Sequence, residues 1–137
     1  MKLRYALTLM HLFLLSFGSA RPFGQGPYVS GGPLSVYQSQ YDVLYYDLNL
    51  RIDPSARSIG GYVDVMIKSV VPALKVVELD LIDQYAVEDI VSGGESLGFT
   101  HSNHKLLIDL SSPLPEDSVA TLRVFYHGKP PVAKRPP

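Results

Sequence analysis

Residues 41–65 read YDVLYYDLNLRIDPSARSIGGYVDV, and the parsing of this stretch decides the fold. From Tyr41 the residues follow period two, the spacing that places successive side chains on opposite faces of a sheet. Tyr46, Leu48, Leu50 and Ile52 make one face, and Asp47, Asn49, Arg51 and Asp53 the other. The segment Asp53-Pro54-Ser55-Ala56-Arg57 then carries turn chemistry: Pro54 fixes φ, and the short Asp53 side chain can bond its own backbone. Beyond it, SIGGYVDVMIKSV alternates Val63, Val65 and Ile67 with Asp64, Met66 and Lys68. The two runs predict a long antiparallel hairpin. The pair Gly60-Gly61 marks a bulge or a close backbone approach, because glycine weakens a strand interior unless geometry demands it. A phosphate-binding role does not fit, since no helical pattern follows to offer its N-terminus.

Downstream the same period continues in shorter runs. Val77, Leu79 and Leu81 alternate in KVVELDLI, and Tyr85 to Val91 forms a weaker strand. Leu97-Gly98-Phe99 and Leu106-Leu107-Ile108 flank the polar turn THSNHK, and SSPLPEDS reads as a loop. Val119 to His127 then carries Leu122, Val124 and Tyr126 on one face. No stretch shows helical period. The expected fold is all-β: an antiparallel β-sandwich or saddle-like sheet, incomplete, with turns every eight to twelve residues.

Upstream the composition changes. Residues 21–40, RPFGQGPYVSGGPLSVYQSQ, are rich in Gly, Pro and Ser without a period and read as a flexible leader. Residues 1–20 have the form of a cleaved signal peptide: Lys2 and Arg4 precede the apolar run Ala6 to Phe17, and Gly18-Ser19-Ala20 supplies the small residues. That run is too short for a membrane span, which needs roughly twenty apolar residues. The expected localisation is therefore secreted or periplasmic. The 137 residues contain no cysteine, which excludes disulfides, thiol catalysis and thiolate metal sites. The chain carries 12 Lys and Arg against 13 Asp and Glu, and Lys2 and Arg4 leave with the signal. A weakly acidic mature surface gives no reason to expect nucleic acid or a membrane as partner. The domain plan is signal peptide 1–20, leader 21–40, β-domain 41–128 and a Pro-rich tail 129–137.

Candidate chemistry is sparse. His101 and His104 lie together in THSNH, but a zinc site needs three or four ligands in a closed geometry. The nearby carboxylate in sequence is Asp109, and the pair reads as polar turn residues. His127 stands at a strand end as a surface imidazole. Asp47, Asp64, Glu78 and Asp80 fall on the polar registers of their strands, interleaved with Arg51, Lys68 and Lys75. Solvated sheet faces with cross-strand charge pairs account for them better than the opposed acids of a glycosidase. Ser35 and Ser39 sit in no nucleophile turn. Tyr41, Tyr45 and Tyr46 cluster at the head of the first strand, where tyrosine is an ordinary half-buried residue or, less simply, a sugar- or peptide-binding patch. No catalytic, cofactor-binding or metal-binding residue is assigned.

The order of these features resembles the opening of the M1 family of zinc metallopeptidases, which includes aminopeptidase N and leukotriene A4 hydrolase. The resemblance rests on Tyr46-Asp47-Leu48-Asn49-Leu50, the turning Asp53 and Gly61-Tyr62-Val63. It continues through VVELDLIDQYAVEDIVSGG, the LGF and KLLIDL strands, SSPLPEDS and VFYHGKPP, from about Tyr41 to Pro131. It implies the first part of an N-terminal β-domain that packs over a catalytic domain. It also implies that FYHGKPPVAKRPP, residues 125–137, stands before further strands and the active-site motifs of a longer parent. The family's Gly-x-Met-Glu-Asn segment and His-Glu-x-x-His helix are absent from these residues, so the chain alone is expected to be no enzyme and to hold no cofactor. The full-length parent would be a secreted zinc aminopeptidase. Its partner for this chain would be the parent's own catalytic domain, contacted through the apolar face of Leu48, Leu50, Val63 and Val65. The alternative is a stand-alone secreted β-sandwich module that binds sugar or protein through the tyrosine cluster and the THSNH turn.

Overall fold

The hairpin forms as expected. Strands β1 (Tyr41–Asp53) and β2 (Ser58–Ser69) pair antiparallel, from Tyr41 opposite Ser69 to Asp53 opposite Ser58. Asp53 Oδ1 accepts the Ala56 N–H at 2.9 Å, which closes the turn. A bulge between Val43 and Tyr45 inserts one extra residue into β1 and changes its phase. Val43 stands opposite Ile67 and Tyr46 opposite Val65, so odd residues before the bulge and even residues after it share one face.

The computed structural model describes residues 32–132. The signal peptide, most of the leader and the last residues of the Pro-rich tail lie outside the described residues. After the hairpin come β3 (Leu74–Asp80), β4 (Tyr85–Ser92), β5 (Glu95–Ser96), β6 (Gly98–Ser102), β7 (Lys105–Leu114) and β8 (Val119–Gly128). They form a five-stranded sheet in the order β1-β2-β8-β4-β5 and a three-stranded sheet in the order β3-β7-β6, with every pairing antiparallel. The fold is all-β, and the two sheets do not close on each other. Strand β7 runs through Ser111 and Ser112 to Leu114, beyond the KLLIDL segment and into residues that the sequence reads as loop. Leu114 stands opposite Leu74 and packs against the core, and this extends the strand. No helix among the described residues is long and apolar enough to cross a membrane.

The core lies between the sheets. Val65, Ile67, Leu122, Val124 and Ile90 come from the larger sheet, and Leu74, Val77, Leu106 and Ile108 from the smaller, all at 2 % exposure or less. Alternation selects these residues; contact with the second sheet buries them. On the opposite face of the larger sheet, Arg123 holds Asp64 through two hydrogen bonds of 2.7 Å, and its guanidinium carbon lies 4.2 Å from the Tyr62 ring centroid. The Arg123 hydrogen bond holds the Asp64 carboxyl below its ordinary range. Asp47 stands opposite Asp64, and the nearby Arg123 offsets that like-charge pairing.

Candidate interaction face

Strand β1 behaves unlike the rest of its sheet. Tyr41, at its start, is buried, and every later residue is exposed. The apolar side chains are no exception: Tyr46 is 55 % exposed, Leu48 58 %, Leu50 39 % and Ile52 65 %. Their neighbours on β2 and β8, facing the same way, are covered by the three-stranded sheet. That sheet reaches β1 only at Tyr41, which bonds the Glu78 carbonyl, and leaves the rest of the strand open. The face expected to be uniform is therefore divided: Val65 belongs to the core and Val63 is half-buried against it, whereas Leu48 and Leu50 stand open.

Where the cover ends, the sheets leave a cleft of about 630 Å³. Val63, Val65, Leu106, Val124 and Tyr126 line it from β2, β7 and β8, Tyr46 and Leu48 from β1, and Asp42, Glu78 and Asp80 add carboxylates. Apolar lining with a few placed polar groups suits an inserted side chain or loop.

The acidic side of the cleft is more ordered than a solvated strand face. Glu78 is buried at 6 % exposure, which corrects the reading of it as a solvated sheet residue. Its carboxylate accepts the Ser35 hydroxyl at 2.9 Å and meets Lys105 Nζ at 3.0 Å. Lys105 also pairs with Asp80 at 2.6 Å, and Gln38 Nε2 donates to Asp80 at 3.2 Å. A short 3-10 turn, Gln38–Gln40, leads the chain into β1. Its preceding residues, aperiodic in sequence, thus lie over the outer side of β3 and exclude water from Glu78. A buried carboxylate is retained only with such partners.

Tyr41 fastens this corner, its hydroxyl donating to the Glu78 carbonyl. Burial, with added repulsion from Tyr46, Glu78 and Asp80, pushes the phenol well above its ordinary value of 10.0. The neutral phenol is therefore the folded form, so its stabilising contribution is complete below about pH 10 and is lost as pH rises toward the folded-state value. Tyr41→Phe is expected to cost about 1 kcal/mol at neutral pH through the lost hydrogen bond and to flatten the alkaline limb. Urea unfolding between about pH 8 and pH 11 reads both effects.

The other candidates separate. Of the tyrosine cluster, Tyr45 and Tyr46 are exposed and Tyr41 is not: the bulge sets Tyr46 on the face of Tyr41 and Tyr45 on the other, but only Tyr41 meets the smaller sheet. His101 Nε2 lies 2.9 Å from the Leu81 carbonyl. His104 Nδ1 lies 3.2 Å from Asp83, whose N–H donates to that ring nitrogen at 3.1 Å. The carboxylate beside the histidines is thus Asp83, from the chain after β3, and not Asp109. Sequence spacing gave no sign of it, since Asp83 approaches only by the pairing of β3 with β7. These contacts tie the β6–β7 turn to the end of β3. His127 meets Glu88 at 2.8 Å. No group of three His, Cys, Asp or Glu side chains that could hold a metal ion occurs among the described residues.

These features define an open two-sheet antiparallel β-domain with one apolar flank uncovered. Within that class, the chain is similar to the N-terminal β-domain of the M1 zinc metallopeptidases. An M1 zinc metallopeptidase from Deinococcus radiodurans, bound to a Tyr-Ser-Ala substrate, matches with a TM-score of 0.62 and 26 % identity over 71 % of this chain and 22 % of that one. A two-domain M1 zinc metallopeptidase bound to L-arginine matches with a TM-score of 0.62 and 25 % identity, over 72 % and 22 %. The leukotriene A4 hydrolase of Saccharomyces cerevisiae shares the fold, with a TM-score of 0.56 and 23 % identity over 78 % of this chain and 18 % of that one. The match thus spans about a fifth of the length of these proteins. No family model matches the sequence, and no curated protein matches it.

Proposed function

We propose that this chain is the non-catalytic N-terminal scaffold segment of a secreted M1-type zinc aminopeptidase, and that the open flank of β1 seats the catalytic part of the same parent. The observation that carries this reading is the row Tyr46, Leu48, Leu50 and Ile52, exposed on a sheet similar to one found in much longer M1 enzymes. Contiguous exposed apolar surface of this kind marks an interaction site. Fully burying such a side chain is worth on the order of 1.5–3 kcal/mol, although ordering and desolvation leave only part of that as binding energy. The cleft would accept a protruding apolar side chain from the catalytic part. The parent would remove amino-terminal residues from peptides; zinc and the groups that hold the substrate amine would lie outside this chain. Export is supported by the signal-like pattern of residues 1–20.

Two measurements test the reading. The reading frame beyond the codon for Pro137 is expected to encode Gly-x-Met-Glu-Asn and His-Glu-x-x-His segments. A stop codon there, with cooperative folding of the chain alone, would overturn the proposal in favour of a stand-alone module binding through Tyr45 and Tyr46. The sequence has no cysteine, so Leu48→Cys introduces a single thiol probe into this region. Its maleimide labelling in the full-length parent is expected to be roughly tenfold slower or more than in this chain, because thiol reactivity follows access. Equal labelling rates would refute the docking role.

A further inference from the structure

The exposed apolar face of β1 is one property of that strand; its unpaired edge is another. Strand β1 ends the order β1-β2-β8-β4-β5, so among the described residues its outer backbone edge pairs with no strand. A long edge strand is a template for adding another. Independently of the aminopeptidase reading, we infer that two copies of this chain join edge to edge along β1, antiparallel, in the register that sets Asn49 opposite Asn49.

The register follows from the side chains. In an antiparallel pair, directly opposed residues point to the same face and interact. A two-fold arrangement of identical strands must be centred on one residue, and each choice of centre fixes all the pairs. Centring on Asn49 sets Asp47 opposite Arg51 twice, once on each side of the axis. The same register sets Leu48 opposite Leu50 and Tyr46 opposite Ile52, so the apolar faces of the two copies merge into one band. Centring on Asp47 opposes Asp47 to itself, centring on Leu50 opposes Asp47 to Asp53, and centring on Arg51 opposes two guanidinium groups. Centring on Leu48 leaves Asp47 opposite Asn49 and Arg51 opposite Tyr45, without a charge pair. Centring on Ile52 opposes Arg51 to Asp53 but leaves only residues 51–53 of β1 paired, so charge complementarity over a long paired stretch selects Asn49.

Two features of the structure agree with this arrangement. Neither Asp47 nor Arg51 makes an ion pair among the described residues, and the attraction of Asp47 to Arg123 acts only at longer range, so each can take a charged partner at contact distance. The bulge between Val43 and Tyr45 lies on the N-terminal side of the paired stretch, which runs from Tyr45 to Asp53. The assembly should also stop at two copies. At the opposite edge of the same sheet stands β5, only Glu95–Ser96, paired with the end of β4 alone; the open remainder of β4 is short and broken by a bulge between Val87 and Asp89, which makes it a poor template.

Site-specific crosslinking of the full chain, secreted from a suitable host, tests the register directly. Asn49→Cys supplies the only cysteine, and directly opposed residues have Cα atoms about 4.5–5.5 Å apart, within disulfide reach. Mild oxidation is expected to convert this variant to a covalent dimer. Asp47→Cys is expected not to crosslink, because in this register the two thiols lie four residues out of step, about 13 Å apart. In sedimentation experiments the unmodified chain should be a discrete dimer. Arg51→Glu should raise its dissociation constant by about tenfold or more, since each substitution counts twice, and Asp47→Lys combined with Arg51→Glu should restore it. A monomer at micromolar concentration, a polydisperse assembly, or equal crosslinking of Asn49→Cys and Asp47→Cys would each overturn the proposal.

Discussion

Ile67→Ala is expected to destabilise the β-domain by about 2–5 kcal/mol, the cost of removing a buried isoleucine side chain and leaving a partly collapsed cavity. Ile67 is wholly inaccessible to solvent, between the two sheets and opposite Val43 and Ala120. Domains of this size are stable by only about 5–15 kcal/mol, so the single change removes a large part of the total. The melting temperature should fall by about 10–30 °C. Ile52→Ala is the matched comparison, because Ile52 occupies an equivalent apolar register of the same hairpin and is mostly exposed. Its expected cost is within about 0.5 kcal/mol. Thermal and urea unfolding of the two variants check the pair. Equal effects would mean that the three-stranded sheet does not divide the apolar face as described.

Gly61→Ala is the second large expected effect. Gly61 has a φ of 142°, in a region that L residues rarely adopt, and a Cβ there would lie 2.1 Å from the Asn49 carbonyl oxygen. The Cβ is fixed by its own backbone and the atoms it meets are backbone too, so neither can swing aside as a flexible side chain would. Backbone strain of this kind costs about 1–3 kcal/mol before the clash is counted, and the total should reach about 3 kcal/mol or more. The damage should fall on the pairing of β1 with β2, read as lost amide-exchange protection along Tyr41–Asp53. Gly60 supplies the contrast. A Cβ at that position meets the His127 Cβ at 3.3 Å and has no positive φ to contend with, so Gly60→Ala should cost about 1 kcal/mol or less. If the two variants behaved alike, the close approach at Gly61 would not be what holds the hairpin.

Much of the fold is legible in the sequence because it is local. The alternation of Leu48, Leu50 and Ile52, the turn chemistry of Asp53 and Pro54, and the glycines of β2 each act within a few residues of one another. Together they specify a hairpin. The interaction face was legible only in part. Leu48 and Val65 follow the same pattern, yet one is open and the other buried, because exposure depends on a second sheet whose strands lie far along the chain. The bulge between Val43 and Tyr45 was hidden for a related reason. It changes the phase of apolar positions that still look continuous, and it places Tyr46, not Tyr45, on the face of Tyr41.

The acidic residues show the same limit. Glu78 and Asp80 occupy polar registers of β3, and a solvated face is the simplest expectation for them. Only the folded chain brings Ser35, Gln38 and Lys105 around them, and an aperiodic lead-in carries no period from which such packing could be foreseen. The Asp83 carboxylate reaches His104 in the same way, through the pairing of distant strands.

The sequence by itself determined the strands, the hairpin, the all-β class and the resemblance to M1 enzymes, since period-two alternation and turn residues act through neighbours in the chain. Tertiary structure alone decided which apolar residues form the core, which stand open on β1, that Glu78 is buried, and that Gly61 but not Gly60 excludes a side chain. Alternation sorts side chains into two faces, but whether a face meets water or another sheet depends on where distant strands come to rest.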